Sequence, residues 1–294
     1  METVTQVLQK VYQQLEQHSL FYGHGSDNPW DEAVYLVMSA MNLPIEGDPK
    51  YLNDLVSEEI KEKIQYWLDL RITHKLPLPY ITGTAYFCGL PFHVDKRVLI
   101  PRSPIGELIQ NKFRPWLKHD PKNVLDLCTG SGCIAIACGY VFPEANVVAT
   151  DISEEVLEVA KINRESHNQF SNLKLIQSDL FKNLDSKKDR FDLIVSNPPY
   201  VDKEDMMDLP DEFKVEPKLA LEAGFDGLAL VHIILKQAAK FLNDGGIIVV
   251  EVGNSAGALQ QHYPKVDFTW LEFEKGGLGV FTLSKLQLIE HFSS

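Results

Sequence analysis

The chain has 294 residues, 45% of them hydrophobic, enough for one large or two modest domains with a sizeable core. Its formal charge is -13, from 28 basic and 41 acidic residues, which argues against affinity built on neutralising nucleic-acid phosphates and suits a basic partner or a small neutral ligand. Four cysteines give no disulfide framework; Cys128, Cys133 and Cys138 contain no CxxC pair and read as small packing residues rather than metal ligands. The opening Met-Glu-Thr-Val-Thr-Gln lacks a basic region followed by an apolar one, and the apolar run from Cys133 to Phe142 is far below the ~18 residues of a membrane span. These features predict a cytoplasmic chain with no membrane partner.

The first third reads as helical. Val4, Val7, Leu8, Val11, Tyr12 and Leu15 recur at helix spacing, as do Trp30, Ala33, Val34, Val37, Met38 and Met41, and then Ile60, Ile64, Trp67 and Leu68. These stripes are packing faces. Pro77, Pro79 and Gly83 break the pattern, and Ala85 to Val94 reads as two short strands around a turn. Ile100-Pro-Arg-Ser-Pro104 is extended, and Ile105 to Trp116 is expected to be helical. The boundaries follow: a helical domain over 1–80, a hairpin and linker over 81–104, and a second domain over 105–294.

From Asn123 strands and helices alternate. Val124 to Leu127, Asn146 to Thr150, Leu173 to Gln177, Phe191 to Ser196 and Gly246 to Val252 are predicted strands. Ser153 is the expected N-cap of a helix with Glu154 and Glu155 in its first turn. A helix is expected near Leu228 to Phe241, and Phe268 to Phe273 with Val280 to Leu283 as a closing antiparallel pair. This grammar implies an α/β doubly wound sheet, with ligands at the carboxyl ends of its strands. Asp202 to Pro217 is acidic and irregular, and is expected to be a mobile loop beside the site.

The most informative stretch is Phe191-Asp-Leu-Ile-Val-Ser-Asn-Pro-Pro-Tyr200. A buried strand stops at two prolines, which have no N–H to donate to a ladder. The Asn197 side chain and the Pro198 carbonyl are thereby left free at a strand end, a pair of acceptors suited to the two donors of an NH2 group. Such a site leaves the nitrogen lone pair facing an electrophile.

Asp126-Leu-Cys-Thr-Gly-Ser-Gly132 joins the first of these strands to its helix, where glycines allow a sharp turn and close ligand approach. Asp151 ends the next strand about twenty residues on, the distance at which an acid meets ribose hydroxyls in dinucleotide folds. Gly loop, Asp151, Asp179 and Asn197 thus sit at four successive strand ends. The loop lacks the Lys-Ser/Thr of a P-loop, and Cys128 stands where a dinucleotide loop has its first glycine. A ligand with a ribose but no phosphates fits better. S-adenosylmethionine is one, and its methyl sulfonium is the electrophile that the amine-holding site needs.

Asp126-Leu-Cys-Thr-Gly-Ser-Gly-Cys and Ser196-Asn-Pro-Pro-Tyr resemble the class I methyltransferases, and within them the protein glutamine-amide methyltransferases of the translation machinery. The resemblance covers nearly the whole chain. Phe21-Tyr-Gly-His-Gly-Ser-Asp-Asn-Pro-Trp, Phe87-Cys-Gly-Leu-Pro-Phe, Arg97-Val-Leu-Ile-Pro-Arg-Ser-Pro-Ile-Gly-Glu-Leu-Ile and Trp270-Leu-Glu-Phe-Glu-Lys-Gly-Gly narrow it to the bacterial members acting on large-subunit ribosomal protein L-three. Arg102-Ser-Pro-Ile-Gly-Glu discriminates most strongly, because the release-factor enzymes usually read Arg-Pro-Asp-Thr-Glu there. Gln177 to Asp179, Glu216-Pro217 and Glu251-Val-Gly253 also look like family positions.

The resemblance implies a small N-terminal substrate-recognition domain, a hairpin connector and a methyltransferase domain. It places Asp126, Cys128, Thr129, Gly130, Gly132, Asp151, Ile152, Asp179, Leu180 and Asn197 at the cofactor. Asn197, Pro198, Pro199, Tyr200 and Arg102 would be on the substrate side, with Asn197, Pro198 and Tyr200 catalytic and Tyr200 packed on the flat face of the amide. No metal and no specific nucleic-acid contact are expected. Three alternatives stand beside this reading. One is the same chemistry on a release factor, and another an adenine methyltransferase that extrudes its base. The third is a non-catalytic cofactor-binding assembly factor.

Overall fold

The structure is a computed structural model that describes residues 2–45, 49–167, 172–274 and 276–292. Lys275, within the Trp270–Gly277 motif, lies outside the described residues. Strand β1 (Glu2–Thr3) leads into α1 (Val4–Glu16), whose start is a capping box: Thr3 accepts from the Gln6 amide, and the Gln6 side chain accepts from the Thr3 amide. Asn28 caps α2 (Pro29–Ala40), with proline in its first turn. Strand β2 (Leu55–Val56) pairs with β1, and Ser57 then caps α3 (Glu58–Thr73). The predicted stripes of these helices, with Leu78 at the start of α4 (Leu78–Thr82), close one apolar core of their own, except Trp30, which stays exposed at the rim edge-on to Tyr12. The hairpin is β3 (Thr84–Phe87) and β4 (Leu90–His93).

Helix α5 (Ile105–Gln110) is shorter than expected. Lys112 and Phe113 turn into left-handed backbone, and the Phe113 ring is buried against Phe142. Burying that ring outweighs continuing the helix towards Pro115. Next come β5 (Asn123–Leu127), α6 (Cys133–Val141), β6 (Asn146–Asp151), α7 (Glu154–Ser166), β7 (Leu173–Gln177) and β8 (Phe191–Ser196). Ser153 accepts from the Val156 amide, so it caps α7 as its sequence predicts. The 202–217 segment is more ordered than its composition suggested. It holds α8 (Asp205–Asp208) and α9 (Asp211–Lys214), and it buries Glu212 and Glu216. The chain closes with α10 (Ala229–Ala238), β9 (Leu242–Glu251), α11 (Ala256–His262), β10 (Thr269–Trp270), β11 (Val280–Ser284) and α12 (Lys285–Phe292).

Among the described residues seven strands form one sheet in the order β10-β11-β9-β8-β5-β6-β7. Strands β5 to β9 are parallel; β11 runs antiparallel to β9, and β10 antiparallel to β11. One core on each face covers the sheet, the hairpin with α5 and α6 on one side, α10 and α12 on the other. Chain order reverses between β5 and β8, so the crevice of this fold opens at their carboxyl ends. Among the described residues no helix is long and apolar enough to cross a membrane.

Candidate functional site

The β5–α6 turn is built for close approach. Cys128, Gly130 and Gly132 all have positive φ, of 59°, 56° and 80°. The two glycines do different work. A Cβ on Gly130 would point into open space, whereas one on Gly132 would meet Ala160 of α7 at 3.3 Å. Gly130 therefore supplies conformation alone, and Gly132 supplies both conformation and close packing. Asp126 lies fully buried beneath the turn; its Oδ2 accepts from the Thr129 hydroxyl at 2.5 Å and the Ala135 amide at 3.2 Å. Burial pushes its carboxyl up to about 7, against the pull of those two donors, and no cation offsets the rise. Asp151 at the end of β6 accepts from the Gly130 amide and the Ser153 amide, each at 3.1 Å. Burial pushes its carboxyl up as well.

Above this turn is a cavity of about 460 Å³, within the range of small-molecule sites. The sequence-predicted residues Arg102, Cys128, Thr129, Gly130, Asp151, Ile152, Asp179, Leu180, Asn197 and Pro199 line it. Asp126 and Gly132 do not; they shape the loop from below. A second cavity of about 320 Å³ adjoins it, and its lining includes Arg102, Asn197, Pro198, Tyr200, Phe213 and Asn254. Asn197 and Arg102 belong to both walls. The Asn197 Oδ1 is buried and has no hydrogen-bond partner among the described residues. An unpaired buried amide oxygen costs free energy unless a donor arrives, so this atom is poised for one.

Tyr200 is held from two sides. Its hydroxyl donates to Glu251 Oε1 at 2.9 Å, and the Ser103 hydroxyl donates to Glu251 Oε2 at 2.5 Å. Gly253 lies under its ring, where a Cβ would come within 2.5 Å of the aromatic carbons. Burial raises the Glu251 carboxyl, although both hydroxyl donors and Arg102 oppose the rise. Arg102 forms a bidentate pair with buried Glu216, both contacts 2.7 Å, and also donates to the Ile100 carbonyl. Burial alone would raise Glu216, but Arg102 and His24 hold it down to about 2.

Residue-level reading missed a second ionic group behind this wall. Buried Arg71 of α3 donates to Glu32 of α2, to Glu212 of α9 at 3.0 Å and to the Phe21 carbonyl at 2.7 Å. The Phe21 amide donates back to Glu212, and Ser26 donates to Glu32. The Phe213 ring lies between Phe21, His24 and Arg102. Three motifs noted only for their resemblance, 21–30, Arg102 and Glu216-Pro217, thus meet in one clamp. No local pattern announces it, since its members lie far apart in the chain.

A family model described as "Methyltransferase domain" matches residues 118–275, more than half of the chain. The chain is 45% identical over 293 residues to a ribosomal protein uL3 glutamine methyltransferase of Francisella tularensis, covering 99% of this chain and 93% of that protein. It is 43% identical to the protein of the same name from Neisseria gonorrhoeae, covering 98% of this chain and 96% of that one. The hMettl16 catalytic domain, solved in complex with a MAT2A 3′UTR hairpin, aligns with a TM-score of 0.50 at 18% identity. That alignment covers 78% of this chain and 81% of the other, and it shows a shared fold. With that identity extending over nearly the whole chain, glycine turn and Asn-Pro-Pro-Tyr included, the chain belongs to the ribosomal protein uL3 glutamine methyltransferase family.

Proposed function

We propose that this chain transfers a methyl group from S-adenosylmethionine to the side-chain amide nitrogen of a glutamine in ribosomal protein uL3, the substrate in its relatives' names. The observation that carries the reading is Asn197, whose unpaired buried Oδ1 lies on the wall shared by the two cavities. The residues fit the cofactor. Asp151, a partly buried carboxylate with no cation on it, suits a ribose diol; Asp179 and Leu180 suit the adenine side; the Gly130 turn leaves room for the remainder. Asp126 acts from beneath by fixing that turn. When bound, the cofactor supplies an electrophilic methyl on a sulfonium.

An amide nitrogen is a poor nucleophile because its lone pair is delocalised into the carbonyl. In this reading Asn197 Oδ1 and the Pro198 carbonyl accept the two amide N–H groups and favour the positive charge that grows on nitrogen. Tyr200, fixed by Glu251 and Gly253, packs on the amide face, with Pro199 beside it. Arg102 completes the substrate-side wall while bound to Glu216. Catalysis is then in-line positioning and electrostatic preorganisation, and the proton leaves after transfer, so no strong base is needed. Residues 1–80 serve as the substrate-recognition domain, 81–104 as connector and 105–294 as the methyltransferase domain; the separate core of the first helices supports that division. Modification of a ribosomal protein puts the work in the cytoplasm. The charge of -13 favours encounter with a basic ribosomal protein in a salt-dependent way.

The test is labelling of a lysate lacking the activity with methyl-labelled cofactor, read by mass spectrometry. Label should appear on a uL3 glutamine, far faster than on release factors. Asn197→Ala should lower kcat by at least ~100-fold and leave cofactor affinity near that of the parent. Faster labelling of a release factor at matched concentration, or near-parental turnover by the variant, overturns the reading.

A further inference from the structure

Away from both cavities, three side chains from three segments converge. Asp226 stands in the turn before α10, His232 lies within α10, and His262 ends α11. One ligand atom of each lies within 4.8 Å of the others. Asp226 Oδ2 is 2.9 Å from His262 Nε2 and 3.9 Å from His232 Nε2. An ordinary ion pair accounts for the first distance. It leaves unexplained a second imidazole nitrogen 3.9 Å from the same oxygen, too far to hydrogen-bond, on a ring set edge-on to that of His262.

A metal ion accounts for both. Bonds of ~2.0–2.1 Å in tetrahedral array put ligand atoms roughly 3.3 Å apart, between the two observed spacings. The outward-facing atoms of His232 and Asp226 are engaged as metal ligands require. His232 Nδ1 is 2.9 Å from the Tyr263 hydroxyl, and Asp226 Oδ1 accepts from the Leu228 amide at 3.1 Å. The Tyr263 ring is in turn packed edge-on against Phe292 at 5.0 Å. His262 is half exposed, so water can complete the coordination.

We propose that Asp226, His232 and His262 bind one divalent transition-metal ion of the zinc type. Two imidazoles and a carboxylate select such an ion over magnesium or calcium, which prefer oxygen ligands alone. Its role is bracing. The Ser255 hydroxyl lies 3.1 Å from both the Asp226 and the Tyr200 carbonyl, and a Cβ on Gly227 would stand 2.2 Å from the Tyr200 carbonyl oxygen. The turn that carries Asp226 is therefore packed directly against the substrate-side wall, and an ion there ties α10, α11 and that wall together.

The experiment titrates zinc into the full-length chain, without a histidine tag and stripped of metal, against a competing chromophoric chelator. We expect one equivalent bound with an apparent Kd below ~10 µM and a rise in Tm. The His232→Gln/His262→Gln double variant should bind at least ~30-fold more weakly and lose the Tm rise. His262→Ala alone, at a half-exposed position, keeps the test open if the double variant does not fold, and should weaken binding at least ~10-fold. Cobalt bound to the parent should give visible absorption absent from the variants. Binding weaker than ~10 µM, or unchanged by these substitutions because zinc sits on the cysteines, overturns the proposal.

Discussion

Two regions of this molecule bury carboxylates in opposite ways. Around the β5–α6 turn, Asp126 is buried and Asp151 partly buried, both with hydrogen-bond donors but no cation, and their pKa values rise. In the clamp behind the 202–217 segment, Glu212 and Glu216 are buried against Arg71, Arg102 and His24, and their pKa values fall despite the burial. At the cavity wall the difference bears on ligand binding through Asp151, while Asp126 fixes the loop from beneath. An uncompensated carboxylate beside a cavity is stabilised by a ligand that donates hydrogen bonds. A compensated one is already satisfied, and it holds the segment that carries it.

The sharpest way to break the comparison is to remove the clamp's central cation. Arg71→Met keeps most of the volume and leaves Glu32 and Glu212 buried without a cation, each with a single remaining donor, Ser26 and the Phe21 amide. We expect a loss of about 3–5 kcal/mol in urea unfolding, with cofactor affinity unchanged while the protein is folded. A loss under ~1 kcal/mol would show that Arg71 is not the clamp's support.

The next effect is in pH. Glu216 is held at about 2, below its ordinary 4.5, so it contributes stability above pH 4.5 that is lost as pH falls towards 2. That contribution is on the order of 3 kcal/mol. Asp126 has the reverse sign. Its folded pKa of about 7 exceeds its ordinary 3.8, so stability declines as pH rises between those values. Chemical unfolding across pH should show Glu216→Gln flattening the acid limb and Asp126→Asn flattening the decline towards neutrality. Equal slopes for parent and variants would dissolve the contrast.

The smallest effect sharpens the ligand side. Asp151→Ala should weaken S-adenosylmethionine binding by about 1.5–3 kcal/mol, the worth of a charge-assisted hydrogen bond. Unfolding stability should change by less than that, because removing a partly buried charge without a cation offsets the loss of the acceptor for the Gly130 and Ser153 amides. Calorimetric titration with undiminished affinity in a folded variant would take Asp151 out of the site.

The two regions also differ in how they read as sequence. Gly130, Asp151 and Asn197 each end or follow a strand whose apolar run is visible locally, and the parallel sheet brings those ends together. The segment 202–217 misled because its polar, acidic composition gives no sign of partners. Glu212 meets Arg71 across 141 residues, and Glu216 meets Arg102 across 114. Helix α5 stopped early for a similar reason, since the burial of Phe113 depends on Phe142.

By itself the sequence determined the βα alternation, the sharp glycine turn and the strand that must stop at Pro198-Pro199. These depend on side-chain period, backbone φ and the missing proline N–H, all properties of neighbours in the chain. Only the tertiary structure decided which carboxylates are compensated, that Asn197 stands on a wall between two cavities, and that Asp226, His232 and His262 converge. A charge or a donor atom takes its energy from the dielectric and partners around it, and both are assembled across the chain when the sheet and its covering helices close.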